Sequence, residues 1–277
     1  MLIQYIGNHT FNNEYKAVTP CDQDLVIPMN GADILLNPET DDLYTYDEVK
    51  DQDFMKNDMV PYVFSVDDKK MFLPLSVSKE FIESSKAGYV RSFGKDRPEL
   101  QLAGATAMHL KTWYTGHRYC GCCGGKNEHD AKERAMKCTK CGHLTFPVIC
   151  PAIIVAVVDG DRILLTKSHR PNAPFSLIAG FTEIGETLEQ TCSREAMEEC
   201  GVKIKNIRPF INQPWGFSSS LMLGFFAELD GSDEIHMQES EIKDAQWFTR
   251  ETMPVSDSPI DITHHMMELW RQNLLEF

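Results

Sequence analysis

Apolar and polar positions change period several times along the chain, and the sharpest changes lie in its second half. Ala152-Ile-Ile-Val-Ala-Val-Val158 is an unbroken apolar, mostly β-branched run, which predicts a strand buried on both faces. Asp159-Gly-Asp-Arg162 reads as a turn, Ile163-Leu-Leu-Thr as the start of a second strand, and Ser176-Leu-Ile-Ala-Gly-Phe181 runs into a glycine-punctuated loop. Further strands are predicted near Ile207–Ile211, Ser220–Leu229 and Ala245–Phe248, with a closing helix from about Ile262 to Leu275. The first half alternates short strand-like pieces with acidic turns: Leu25-Val-Ile-Pro28, Ile34-Leu-Leu36, Tyr62–Val66 and Met71–Leu75, with Asp67-Asp-Lys-Lys70 as a hairpin turn. Leu102, Ala105, Leu110 and Trp113 then fall on one helical face between Leu100 and Tyr114.

The helical pattern after the glycine loop carries the chemistry. It stops at Gly201, the residue type suited to a left-handed C-cap. At about 100° per residue, Glu195 and Glu199 fall within roughly 20° of Leu188, with Cys192 and Ala196 on the same arc and Glu198 about 60° from Glu195. The acids therefore sit at the edge of the packed face, while Gln190, Ser193 and Met197 point away. Like charges at this spacing repel, and half-buried carboxylates lose hydration, so the arrangement costs free energy unless a cation joins it. Oxygen-only ligands suit Mg²⁺ or Mn²⁺ acting together with phosphate oxygens. The competing reading is an ordinary amphipathic helix with acids on its rim.

Gly180, five residues, Glu186, seven residues, then Arg194-Glu-Ala-Met-Glu-Glu-Cys-Gly-Val202 resembles the signature of the Nudix hydrolases at every fixed position. The resemblance implies hydrolysis of a nucleoside diphosphate linked to a further moiety.

Composition narrows the class. The chain has 277 residues, 42% hydrophobic and 25% charged, enough for more than one globular core. A net charge of −14 argues against broad binding to a nucleic-acid backbone, though it leaves room for one anionic ligand beside a metal. No apolar run approaches a membrane span, and the N-terminal residues lack a secretory pattern, so no membrane partner and a cytoplasmic location are expected.

Nine cysteines include Cys120-Gly-Cys-Cys123 and Cys138-Thr-Lys-Cys141, two CxxC pairs fourteen residues apart, each followed by glycine. That spacing predicts a four-thiolate structural Zn²⁺ site, with Cys122 left over; disulfides or free thiols are the alternatives. His117, His129 and His143 lie nearby but are not needed as ligands. The fold expected is α+β: a small N-terminal α+β domain (1–115), a zinc ribbon (116–146) and a Nudix α/β/α sandwich with a mixed sheet (147–277).

Between two predicted strands lies Asn212-Gln-Pro-Trp-Gly-Phe-Ser-Ser-Ser220, whose rings, amide and hydroxyls suit a nucleobase and ribose, or simply a core. Ribbon, Nudix box and this loop together resemble the NADH pyrophosphatases of the Nudix superfamily, which also remove NAD caps from RNA. This chain has Asn212, Gly216 and Ser218 where that pattern has Ser, Pro and Pro, and losing two prolines loosens the loop.

The resemblance implies divalent-cation ligands at Glu195, Glu198, Glu199 and Glu241 and at the Ala179 carbonyl. It implies stacking of nicotinamide on Phe181, a substrate wall from Gln213, Pro214, Trp215, Gly216, Phe217, Ser218, Ser219 and Ser220, and further contacts from Phe146, Arg91 and Thr263. The expected reaction is metal-assisted attack of water on the diphosphate of NADH or NAD, giving nicotinamide mononucleotide and AMP. Glu199 or a neighbouring glutamate orients or deprotonates the water, and Arg194 positions carboxylates. NAD-capped RNA is a second expected substrate and a homodimer the implied assembly. The alternatives are a Nudix enzyme for ADP-ribose or dinucleoside polyphosphates, and a non-catalytic nucleotide sensor.

Overall fold

The computed structural model describes residues 2–57, 59–254 and 261–274. The chain forms two compact units. One comprises Met1–Gln4, Ile149–Pro214 and Ser220–Phe277; the other comprises Tyr5–Val148 and Trp215–Ser219. The sequence reading divides the chain at 115 and 146, whereas the structure groups the ribbon with the N-terminal strands and returns Trp215–Ser219 to the same unit.

In the C-terminal unit the strand Cys150–Asp159 is central. It pairs in parallel with Ser220–Leu229 along one edge, and antiparallel with Arg162–Ser168 and Ile178–Phe181 along the other. Ile204–Trp215 and Ile242–Thr249 close the two sides of this mixed six-stranded sheet. Side chains alternate across it as strand geometry requires. Ile153, Val155 and Val157 pack with Cys192, Ala196 and Cys200 of the helix Leu188–Cys200. Ile154, Ala156 and Val158 pack with Ile262, Met266, Met267 and Trp270 of the helix Ile262–Arg271. A helix on each face is the reason the predicted run has no polar member.

Cys150–Asp159, Arg162–Ser168, Ile204–Trp215 and Ile242–Thr249 overrun their predicted ends by one to four residues, because ladder pairing continues into residues that carry no periodic signal. Tyr62–Val66 and Ser220–Leu229 match, whereas the strands at Leu25–Val26, Lys69–Phe72 and Ile178–Phe181 fall short at one end. The closing helix ends at Arg271; its predicted end at Leu275 lies outside the described residues. Leu2 is buried in the core beneath the closing helix, and Gln4 Nε2 donates to the Asn212 carbonyl at 2.7 Å. Nothing in the local pattern of Met1–Gln4 signals that role, since burial there comes from a distant sheet.

The other unit holds a five-stranded sheet, a three-stranded sheet and the helix Pro98–Gly116, which begins with proline at its first turn. The turn between Tyr62–Val66 and Lys69–Phe72 places Asp67 and Asp68 at φ 50° and 65°, the left-handed pair of a tight hairpin. Asn127–His129, Met136–Cys138 and Leu144–Thr145 form the ribbon's small sheet. Among the described residues no helix is long and apolar enough to cross a membrane.

Candidate active site and zinc centre

Local chemistry sets the Leu188–Cys200 helix in place. Thr187 caps it, accepting from the Gln190 amide at 3.3 Å while Gln190 Oε1 accepts from the Thr187 amide at 2.8 Å. Gly201 ends it at φ 70°. Cys192, Ala196 and Cys200 are fully buried, and Glu195 and Glu199 share that face at 8% and 6% exposure. Glu198 is exposed.

Three devices hold the acids together. The first is Arg194: its Nη1 donates to Glu195 Oε1 at 2.7 Å and Glu198 Oε2 at 3.0 Å, its Nε and Nη2 grip Glu186 at 2.7 and 3.1 Å, and Nη2 also reaches the Phe181 carbonyl at 2.9 Å. Its guanidinium pKa rises further, chiefly through Glu186, whose own carboxyl is pulled down to about 2 by the same contact. The second is Gly180, in the strand against this helix: a β-carbon there would collide with the Glu195 carboxylate. The third is the segment before Glu241. His236 and Gln238 amides donate to the Cys200 and Glu199 carbonyls at 2.8 and 3.1 Å, satisfying the helix end; burial raises the pKa of both Glu195 and Glu199, and the nearby Glu241 charge adds to it.

Glu199 is the most strained member. Burial, then the charges of Glu195 and Glu241, push its carboxyl up to about 8 despite a backbone hydrogen bond from Ala179. Its Oε2 is buried without a hydrogen-bond partner. A buried carboxylate oxygen left unpaired beside two further acids fits a hard divalent cation. Ala179 lies next to Gly180 in the Ile178–Phe181 strand, and Phe181 is 55% exposed.

The loop residues divide between the two units. Gln213 and Ser220 are buried in the C-terminal unit, and Pro214 is exposed there. Trp215 to Ser219 belong to the other unit, where the Trp215 and Phe217 rings lie 4.8 Å apart and the Arg91 guanidinium rests 5.0 and 5.2 Å from their centroids. A β-carbon at Gly216 would collide with the Ala105 carbonyl in the Pro98–Gly116 helix. Ser218 is exposed, and Ser219 takes a left-handed φ of 56°. Phe146 is half exposed after the ribbon, and Thr263 is half buried in the closing helix. Glu186, Gly180 and Ala105 carry structural roles that the sequence reading does not assign. Glu186 was findable as the motif's fixed acid ahead of the helix that carries Arg194, whereas the approach of Ala105 to Gly216 has no local signal.

The four ribbon cysteines converge, with all four Sγ atoms within 4.8 Å of one another. Cys120 and Cys141 lie 3.7 Å apart and Cys123 and Cys138 3.5 Å, close to the roughly 3.8 Å edge of a tetrahedron built on 2.3 Å zinc–sulfur bonds. Lys140 and Cys141 amides point at Cys138 Sγ at 3.4 and 3.5 Å, and the Cys141 amide leads in pulling this thiol down to about 6. Gly124 and Gly142 turn the knuckles at φ 69° and 74°. The donor set fits zinc, and Cys122 is exposed outside it.

A sheet sandwiched by helices, with an Arg-clamped acidic helix behind a glycine strand, defines a Nudix hydrolase, and a family profile described as NUDIX domain matches residues 149–266. A NUDIX hydrolase structure from Nitrosomonas europaea superposes with a TM-score of 0.50 at 21% identity, over 57% of this chain and 92% of that one. The chain is 48% identical over 187 residues to the NAD-capped RNA hydrolase NudC of Haemophilus influenzae strain PittEE, covering 64% of this chain and 69% of the relative. It is 43% identical to the same-named protein of strain PittGG, over 66% and 68%, and 41% identical to that of Escherichia coli O1:K1, over 61% and 65%. The chain belongs to the NudC family of Nudix hydrolases.

Proposed function

We propose that the protein hydrolyses the diphosphate of NADH or NAD to nicotinamide mononucleotide and AMP, and removes NAD caps from RNA 5′ ends. The similarity to NAD-capped RNA hydrolases supports the substrate class. The observation that carries the reaction is the buried, unpaired Glu199 Oε2, with Glu195 and Glu241 near enough for their charges to act on it. Glu195, Glu198, Glu199, Glu241 and the Ala179 carbonyl would hold Mg²⁺ or Mn²⁺, which supplies charge neutralisation at the diphosphate and makes water more acidic. Glu199 accepts the proton of the attacking water or orients it. Arg194 fixes the carboxylates and does not touch substrate, since its nitrogens are taken up by Glu186, Glu195, Glu198 and the Phe181 carbonyl.

Exposed Phe181 is suited to stack a nicotinamide ring. Arg91 braces the Trp215 and Phe217 rings within their own unit, and the family resemblance assigns substrate contacts to Gln213 to Ser220, Phe146 and Thr263. Cys120, Cys123, Cys138 and Cys141 would hold zinc as a structural staple of the Tyr5–Val148 unit. A cytoplasmic homodimer is the assembly in keeping with the family resemblance.

The test is incubation of purified protein with NADH and Mg²⁺ or Mn²⁺, beside Glu199→Gln. Hydrolysis by the wild type and a loss of about 100-fold or more in the variant is expected. Activity confined to ADP-ribose or dinucleoside polyphosphates would reassign the substrate, and an unimpaired variant would remove Glu199 from the reaction.

A further inference from the structure

Glu241 stands apart from the helix that carries Glu195, Glu198 and Glu199, on an exposed turn between Gln238 and Ile242. Backbone bonds fix the base of that turn. The Gln238 carbonyl accepts from the Glu241 and Ile242 amides, both at 3.0 Å, while the Gln238 amide donates to the Glu199 carbonyl at 3.1 Å. The tip, Glu239 and Ser240, is exposed and lies outside those bonds.

Electrostatics work against such a turn. Glu241 is near enough for its charge to act on Glu195 and Glu199, and gathered carboxylates repel one another until a cation joins them. Glu195 and Glu199 are fixed in a helix, so the repulsion falls on the turn.

A side chain from the neighbouring strand holds the tip. Arg162–Ser168 pairs antiparallel with Ile242–Thr249, and the register slips at its end. Lys167 faces Asp244 and Ser168 faces Ile242, which leaves Lys243 as the extra residue of a bulge and bends the strand where it leaves Glu241. His169 is the next residue on the partner side. Its Nε2 lies 3.0 Å from the Glu239 carbonyl, which can only accept, so Nε2 carries the proton and donates. The backbone around His169 is itself tied: Arg170 Nε donates to Ser168 Oγ at 3.3 Å, and the Ala173 amide donates to the Arg170 carbonyl at 3.1 Å.

We propose that His169 is a positioning residue for the divalent cation: by holding the Glu239 carbonyl it keeps the turn, and with it Glu241, beside Glu195 and Glu199 before the ion arrives. This rests on the reading of Glu241 as a cation ligand. A ligand anchored in advance loses less freedom on binding, so the contact sets metal affinity rather than the rate of the loaded enzyme.

Manganese titration followed by electron paramagnetic resonance, on the full zinc-loaded chain without nucleotide, tests this. His169→Ala is expected to weaken Mn²⁺ binding about threefold to tenfold, as the loss of one hydrogen bond implies. Its melting temperature should stay close to that of the wild type, because the imidazole is exposed. His169→Gln, whose amide nitrogen can donate to the same carbonyl, should restore most of the affinity. In NADH hydrolysis, the Mn²⁺ concentration giving half the maximal rate should rise by the same factor in His169→Ala, with kcat at saturating Mn²⁺ near the wild-type value. Glu241→Gln, which alters the ligand itself, should weaken binding further. Unchanged affinity in His169→Ala beside weakened affinity in Glu241→Gln overturns the positioning role alone. Unchanged affinity in both overturns the ligand reading of Glu241 with it. An equal loss in His169→Gln, or a fall in kcat at saturating metal with affinity intact, would also refute the proposal. Binding is read without turnover, so the outcome stands whichever substrate the enzyme prefers.

Discussion

Gly180 faces the Glu195 carboxylate so closely that a β-carbon at this position would displace it. The strand pairs with Ile153 through Gly180 and cannot retreat without breaking the ladder. Gly180→Ala is therefore expected to move Glu195, lowering kcat for NADH about 100-fold with the protein still folded, since displacement by about 1 Å costs that much. Circular dichroism alongside kinetics checks it; full activity would show that the carboxylate's position is immaterial.

Arg194 serves three carboxylates with one planar fork. Lysine keeps the charge but offers a single ammonium, so Arg194→Lys releases either Glu186 or the Glu195–Glu198 pair. We expect kcat to fall about tenfold or more while KM changes little, because no substrate contact is lost. A variant that raises KM alone would place Arg194 at the substrate.

Glu186 gives a pH signature outside the metal ligands. Its folded pKa of about 2 lies below its ordinary value near 4.5, so its contribution to stability is full above about pH 4.5 and is lost as pH falls towards 2. Glu186→Gln should lower stability at pH 7 and flatten its fall between pH 4.5 and 2. Parallel acid-unfolding curves for the two proteins would refute the coupling to Arg194.

Zinc removal should act on the ribbon's unit. Cys138→Ser or a strong chelator is expected to lower its melting temperature and release one zinc per chain, because metal binding and ribbon folding are coupled. Cys122→Ser, outside the thiolate cluster, should retain the metal. Metal analysis distinguishes these outcomes directly.

The tilted Trp215–Phe217 ring pair depends on Arg91 and on the bare α-carbon of Gly216. Arg91→Ala removes a cation–π contact worth about 0.5–2 kcal/mol and should raise KM for NADH more than it lowers kcat. Gly216→Ala should do the same by pushing the loop off Ala105. Unchanged KM in both would separate the loop from substrate.

Period and punctuation alone made much of this protein legible. The unbroken 152–158 run foretold a strand buried on both faces, Gly201 the helix end, and the paired CxxC motifs a thiolate cluster, because each depends on neighbours within a turn or a hairpin. Helical-wheel geometry by itself places Glu195 and Glu199 at the edge of the packed face, where both are buried.

Tertiary structure alone decided what crosses long stretches of chain. Glu241 reaches the acidic helix only because His236 and Gln238 cap that helix's carbonyls, Leu2 is buried only because a distant sheet covers it, and Arg91 meets Trp215 across more than a hundred residues. Local propensity records the conformation a segment prefers. It carries no record of which distant surface supplies the missing hydrogen bond or the apolar cover, and those partners exist only once the chain has closed.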